Sequence, residues 1–194
     1  VYADGLPAII DVGVETYTAK TFGPRRYEIW TMQSAFHNCP TIDGVMQSAG
    51  RAFRASDVRY RATDDAAELR LNLAAAYPPE AHLDAWNRTL RLNRAKNEIE
   101  LLDEFVLRQS ARNITLTLMT PCIVNTGTPG ELSLTVSSGK PVRILYDRAL
   151  SPSVEEIRLE DARLRGTWGD RLFRILLRAE APAAKGAWTM RISQ

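Results

Sequence analysis

The chain has 194 residues, 45% hydrophobic and 25% charged, a globular composition rather than a disordered or fibrous one. Lys+Arg of 25 against Asp+Glu of 23 leaves a net charge of +2, too balanced for a dedicated nucleic-acid binder. No apolar run approaches the ~18 residues of a membrane-spanning helix, so neither nucleic acid nor membrane is an expected partner.

The first run, Ala8-Ile9-Ile10-Asp11-Val12-Gly13, reads as an apolar strand ending on an acid. A polar stretch follows, Ser34-Ala35-Phe36-His37-Asn38-Cys39-Pro40-Thr41-Ile42-Asp43-Gly44, with Gln47 just beyond. From there the strand period of two dominates. Glu68 to Leu73, Thr89 to Leu92, Glu98 to Leu101, Ile114 to Leu118, Leu132 to Val136, Val142 to Ile144, Arg171 to Ile175 and Trp188 to Ile192 all alternate apolar with polar residues. Each presents one face to a core and one to solvent, as antiparallel sheets require. Pro78 to residue 85 reads as a loop or short turn, with Pro79-Glu80-Ala81 able to open one helical turn. Asn125-Thr126-Gly127-Thr128-Pro129-Gly130 and Ser137-Ser138-Gly139-Lys140-Pro141 read as turns between strands. The expectation is all-β: one antiparallel β-sandwich over residues 1–194, roughly a dozen strands with little helix.

Two cysteines, Cys39 and Cys122, are too few for a disulfide framework at this length and are expected to be free thiols. Histidine is equally scarce, with only His37 and His82. Asp11 and His37 are residue types that bind zinc, but a zinc site needs at least a third protein ligand. By spacing alone they read equally as a turn-capping acid and a hydrogen-bonded histidine. His82, in the polar loop after Pro79, reads as solvated. Tyr17, Arg25, Arg26, Tyr27 and Trp30 mix aromatic faces with guanidinium forks, the groups that stack on sugars and grip carboxylates. Tyr27 and Trp30 fit a core equally well. Asn38 could hold its loop through the backbone or stand as a plain turn residue before Pro40. Arg88 and Asp103 read as an ion pair across neighbouring strands.

Val1-Tyr2-Ala3-Asp4-Gly5, Ile10-Asp11-Val12-Gly13, Tyr17-Thr18, Arg26-Tyr27, Trp30, Ser34 and the His37-to-Gly44 loop with Gln47 resemble the heparinase II/III-like polysaccharide lyases. Ala75-Ala76-Tyr77, Trp86-Asn87-Arg88 and Leu102-Asp103-Glu104-Phe105 look like that family's following strands, and Trp168-Gly169 is a looser match. The resemblance runs through most of residues 1–107.

It implies the C-terminal β-sandwich region of a longer bacterial enzyme, truncated at its N-terminus, with an α/α toroid as the missing partner. Such enzymes cleave uronic-acid-containing polysaccharides (heparin or heparan sulfate-like, alginate or similar) by β-elimination. The catalytic groups are then expected upstream, none within this chain, and the isolated chain is expected to be inactive. Asp11 and His37 match zinc-ligating positions, with a further His ligand expected before Val1. Zinc is accordingly expected in the full-length protein and weak or absent here. Tyr17, Arg26, Tyr27, Trp30 and Asn38 become the substrate-binding candidates, and the partner an acidic polysaccharide or oligosaccharide. An exposed sheet edge would drive homodimerisation through residues 1–50. The compartment implied is periplasmic or extracellular, with the cytoplasm as the alternative. The competing reading is a non-catalytic carbohydrate-binding or structural sandwich.

Overall fold

The computed structural model describes residues 1–137 and 139–194. Strands β1 (Tyr2–Ala3) and β2 (Leu6–Pro7) form a small hairpin, and β3 (Pro40–Ile42) follows an irregular segment of four 3-10 turns. The remaining strands are β4 (Ser56–Ala62), β5 (Ala66–Asn72), β6 (Leu83–Asn93), β7 (Glu98–Leu107), β8 (Asn113–Thr120), β9 (Ile123–Thr128), β10 (Glu131–Thr135), β11 (Val142–Tyr146), β12 (Ser151–Arg158), β13 (Arg171–Glu180) and β14 (Lys185–Ser193). One sheet of eight runs β4-β5-β6-β7-β14-β11-β10-β9 and one of four runs β12-β13-β8-β3, with every strand pair antiparallel.

Alternation places the core. Ile114, Leu116 and Leu118 of β8 and Ile175, Leu177 and Ala179 of β13 face inward from the small sheet. They meet Trp86, Phe105, Leu132, Leu134, Ile144, Met190 and Ile192 of the large sheet in one buried cluster. Burial of this kind is worth about 1.5–3 kcal/mol per large side chain. Trp86, Phe105 and Trp188 stack within it, with centroids 5.4 Å apart for Trp86–Phe105 and 4.6 Å for Phe105–Trp188. The sandwich expected from the sequence is therefore present.

The outer face of the small sheet has its own covering. Met119, Leu172 and Ile157 project there and pack under Ile10, Val12, Trp30 and Leu164. Leu164 belongs to α1 (Ala162–Trp168), the one α-helix among the described residues. Its N-terminus is fixed by Asp161, whose carboxylate accepts from the Arg163 and Leu164 N–H groups at 3.0 Å each.

Two local expectations are corrected. The segment 8–13 is not a strand: only Ile10 bridges to β8, at Met119. Gly13 then takes a left-handed φ of +77° and donates its N–H to the Asp11 carboxylate, turning the chain off the ladder. Residues 125–128, expected in a turn, belong to β9, and the reversal is confined to Pro129-Gly130. β9 is an edge strand whose register with β10 shifts at Glu131–Ser133, so it accommodates Gly127. Ser138 of the second expected turn lies outside the described residues.

Candidate functional site: a histidine–aspartate pair in a loop cleft

The site is assembled where β3 stops short. β3 pairs with β8 only from Pro40↔Leu116 to Ile42↔Ile114, leaving the Met119 end of β8 to other partners. Ile10 donates its N–H to the Met119 carbonyl at 2.9 Å. In an ordinary antiparallel pair Met119 would return the second bond directly. Instead the Asn38 amide stands between them. Its Oδ1 accepts from the Met119 N–H at 2.9 Å, and its Nδ2 donates to the Ile10 carbonyl at 2.9 Å. This side chain thus acts as one rung of the ladder and ties His37 to the residue before Asp11.

The loop is also anchored from the core. Arg88 donates Nε and Nη2 to Asp103 at 2.7 and 2.6 Å, and its Nη1 to the Asn38 carbonyl. Asp103 is fully buried and also accepts from Trp86 Nε1 at 2.9 Å. Burial opposes the Arg88 charge, but the adjacent Asp103 carboxylate more than restores it, and the guanidinium stays protonated. The Tyr77 hydroxyl donates to the Pro40 carbonyl, and burial pushes its pKa well above the usual phenol range, so it stays protonated. Burial likewise pushes the Cys39 thiol up, so it remains a neutral filler rather than a nucleophile. Both cysteines are free.

His37 Nδ1 lies 2.8 Å from Asp11 Oδ2, and its Nε2 lies 3.0 Å from the Thr31 carbonyl oxygen. A carbonyl only accepts, so Nε2 holds a hydrogen and Nδ1 is the atom turned to Asp11. The pair opens into a cleft of about 550 Å³ lined by Tyr27, Ser34, Asn38, Gln47 and Phe53 among others. Ser34 Oγ accepts from the Gln47 N–H at 2.9 Å and closes one wall.

The structure brings Asp11, His37, Tyr27 and Asn38 to this cleft. Arg26 sits beside it, its guanidinium 5.4 Å from the Tyr27 ring centre. Trp30 packs edge-on to Phe36 with centroids 5.1 Å apart, inside the second apolar cluster. Tyr17 is exposed against Phe22 and under Arg163, away from the cleft lining. Arg25 pairs with Glu28 and holds that carboxyl down to about 2. His82 is exposed at the end of the turn after Pro78.

Two positioning residues are not apparent from sequence patterning. Arg88 is legible as an ion-pair partner, but its third bond, to Asn38, spans fifty residues. Arg174 lies over the Phe36 ring at 4.3 Å, reaches the Ala35 carbonyl at 3.4 Å and pairs with Glu155 at 2.8 Å. In the sequence it is one more arginine on a strand's polar face.

The pair also suits a metal ion. A zinc-binding histidine commonly donates its other ring N–H to a carbonyl, which fixes the tautomer and leaves the second nitrogen free to coordinate. His37 has that carbonyl contact through Thr31, and its Nδ1 and the Asp11 carboxylate, 2.8 Å apart, would be the two donors. Among the described residues there is no group of three His, Cys, Asp or Glu that could complete such a site.

The sequence matches no protein-family model and no curated protein. The three-dimensional structure does find relatives. Heparan sulfate lyase HepC from Pedobacter heparinus superposes with a TM-score of 0.72 at 14% identity, over 97% of this chain and 28% of that one. A heparinase III gene product gives 0.72 at 12% identity over 98% and 28%, and a further heparinase III gives 0.65 at 16% over 99% and 28%. The fold is that of a portion of the heparan sulfate lyases. The chain spans about 28% of the length of the heparinase structures it matches. At identity this low the likeness lies in the backbone fold.

Proposed function

We propose that this chain is the β-sandwich portion of a bacterial polysaccharide lyase that cleaves uronic-acid-containing polymers by β-elimination. The supporting observation is the His37–Asp11 pair, held at the edge of a cleft on a fold shared with heparan sulfate lyases. In the reaction a base removes the proton alpha to the uronate carboxylate, the C4–O bond breaks, and a 4,5-unsaturated sugar is left. That chemistry needs a poised base and fixed positive or hydrogen-bonding groups at the developing enolate. Those groups come from outside this chain.

This chain's part is architectural and contact-making. Asp11 and His37 Nδ1 would hold zinc together with a ligand from outside these residues, and a metal held there would tie the loops together beside the substrate. Tyr27 offers a sugar-stacking face and Arg26 a cation beside it. Asn38 and Trp30 hold the wall, and Tyr17, outside the cleft lining, offers a second exposed aromatic face. The enzyme acts in the periplasm or outside the cell.

The test is to measure zinc stoichiometry and unsaturated-product absorbance for the full-length enzyme, its His37→Ala variant and the isolated 194-residue chain. Zinc and activity are expected in the first, loss of both in the second, and no activity in the third. Product formed by the isolated chain would overturn the reading. So would a full-length protein that eliminates no uronate polymer, or one whose zinc survives His37→Ala.

A further inference from the structure

The outward face of the large sheet carries charge in an ordered row. Arg61 of β4 stands opposite Glu68 of β5, Glu68 opposite Arg91 of β6, Arg91 opposite Glu100 of β7, and Glu100 opposite Arg191 of β14. Signs alternate across five strands, with ion pairs of 3.2 Å for Arg61–Glu68 and 3.1 Å for Arg191–Glu100. Opposite charges in register stabilise a sheet, and like charges in register destabilise it.

The row two residues along breaks this rule. Arg59 of β4 stands opposite Arg70 of β5, whose other neighbour is Thr89. Both arginines are exposed, and neither makes an ion pair among the described residues. Beyond them Asn72 stands opposite Asn87. The Asn72 Oδ1 is already occupied by the Ala74 and Trp86 N–H groups, so its free amide hydrogens are what it can still offer. Arg59, Arg70, Asn72, Asn87 and Arg88 line a surface hollow of about 260 Å³ together with Asp57, whose carboxylate accepts from the Ser56 hydroxyl.

We propose that this hollow is a second anion-binding site, separate from the His37 cleft, that takes the sulfate or carboxylate groups of an acidic polysaccharide. Directly opposed residues on antiparallel strands have Cβ atoms ~4.5–5.5 Å apart, close enough for two guanidinium forks to share one oxyanion. An anion there turns a repulsive pair into charge-assisted hydrogen bonds, and the asparagine amides add neutral donors on the same side. The polymer identity rests on the function proposed above, whereas the anion site rests on the arginine pair alone. A chain gripped here is held on the face of β4 to β6 while another part of it occupies the cleft.

The test uses the full-length protein with three probes: a sulfated oligosaccharide, an unsulfated polyuronate of similar length, and inorganic sulfate. Affinity is measured at two salt concentrations for the wild type and for the Arg59→Gln/Arg70→Gln double variant. Protection of Arg59 and Arg70 from a dicarbonyl reagent is read by mass spectrometry. The expected result is protection of both arginines by at least one oligosaccharide, a loss of affinity of about tenfold or more in the double variant, and weakening by salt. Tm should stay level or rise, since a repulsion has been removed. Preference between the first two probes assigns the anion as sulfate or carboxylate, and equal binding assigns both. Binding of inorganic sulfate only, or oligosaccharide affinity unchanged in the double variant, overturns the proposal. A full-length protein that binds here yet eliminates nothing would refute the lyase reading and leave this site standing. Elimination with unprotected arginines would do the reverse.

Discussion

Asn38 is committed at both ends of its amide, to the Met119 N–H and the Ile10 carbonyl. Asn38→Ala removes both partners and leaves two backbone groups to be satisfied where the side chain stood, at about 1–3 kcal/mol each if water does not replace it. Asn38→Asp keeps the acceptor for Met119 but presents a carboxylate oxygen to the Ile10 carbonyl. Both variants should lower Tm, measured by calorimetry, and the aspartate should recover none of the Ile10 bond. Arg88 and Asp103 set a larger penalty. Asp103→Ala leaves a guanidinium whose side chain is only 9% exposed without its carboxylate. Chemical denaturation should register a loss of about 3–5 kcal/mol. Arg88 and Asp103 as a pair could be read from the sequence, because alternation on consecutive strands puts them on one face. For Asn38, bonding to the backbone is one of the two readings the sequence offers, but the rung it replaces could not be read. A side chain replacing a backbone rung depends on where β3 begins, and no local pattern encodes that.

Among the elements, β7 and β14 meet in a contact that excludes substitution. Gly186 stands opposite Phe105, and a Cβ there would lie 2.8 Å from Phe105 Cζ and 2.9 Å from Cε1. Phe105 is buried between Trp86 and Trp188 and has nowhere to move. Gly186→Ala should cost about 1–3 kcal/mol by overpacking, seen as a shifted denaturation midpoint with unchanged slope. Helix α1 gives a pH-dependent case. The Leu164 N–H, with lesser help from Thr16 and Arg163, holds the Asp161 carboxyl below its ordinary range. A group depressed in the folded state contributes above its unfolded pKa and loses that contribution as pH falls through the folded value. The protection of the Thr16 and Leu164 amides, relative to their intrinsic exchange at each pH, should therefore fall on acidification below the ordinary aspartate range and should not change with pH there in Asp161→Asn, whose amide still caps. The strands with strict alternation, β5 to β8, β10, β11, β13 and β14, were legible in the sequence. β4, β9 and β12 were less so, because their burial patterns do not alternate cleanly, and β4 is exposed throughout. α1 is seven residues long and has too few turns to show a helical period.

At the scale of the whole molecule, chain order and sheet order disagree in one decisive place. β14, the latest of these strands in chain order, sits in the interior of the eight-stranded sheet, between β7 and β11. Until it arrives, β4 to β7 form one ribbon and β9 to β11 another, each presenting a row of unpaired peptide groups to the gap. The final nine-residue strand is therefore the keystone of folding. Closing the sheet requires β11 to be joined, through β14, to a strand that left the ribosome dozens of residues earlier, the kind of long-range pairing that slows a folding reaction. A nascent or terminally clipped chain would hold two sticky half-sheets rather than one weakened sandwich. Its fate would be set by how quickly they find another chain's strand.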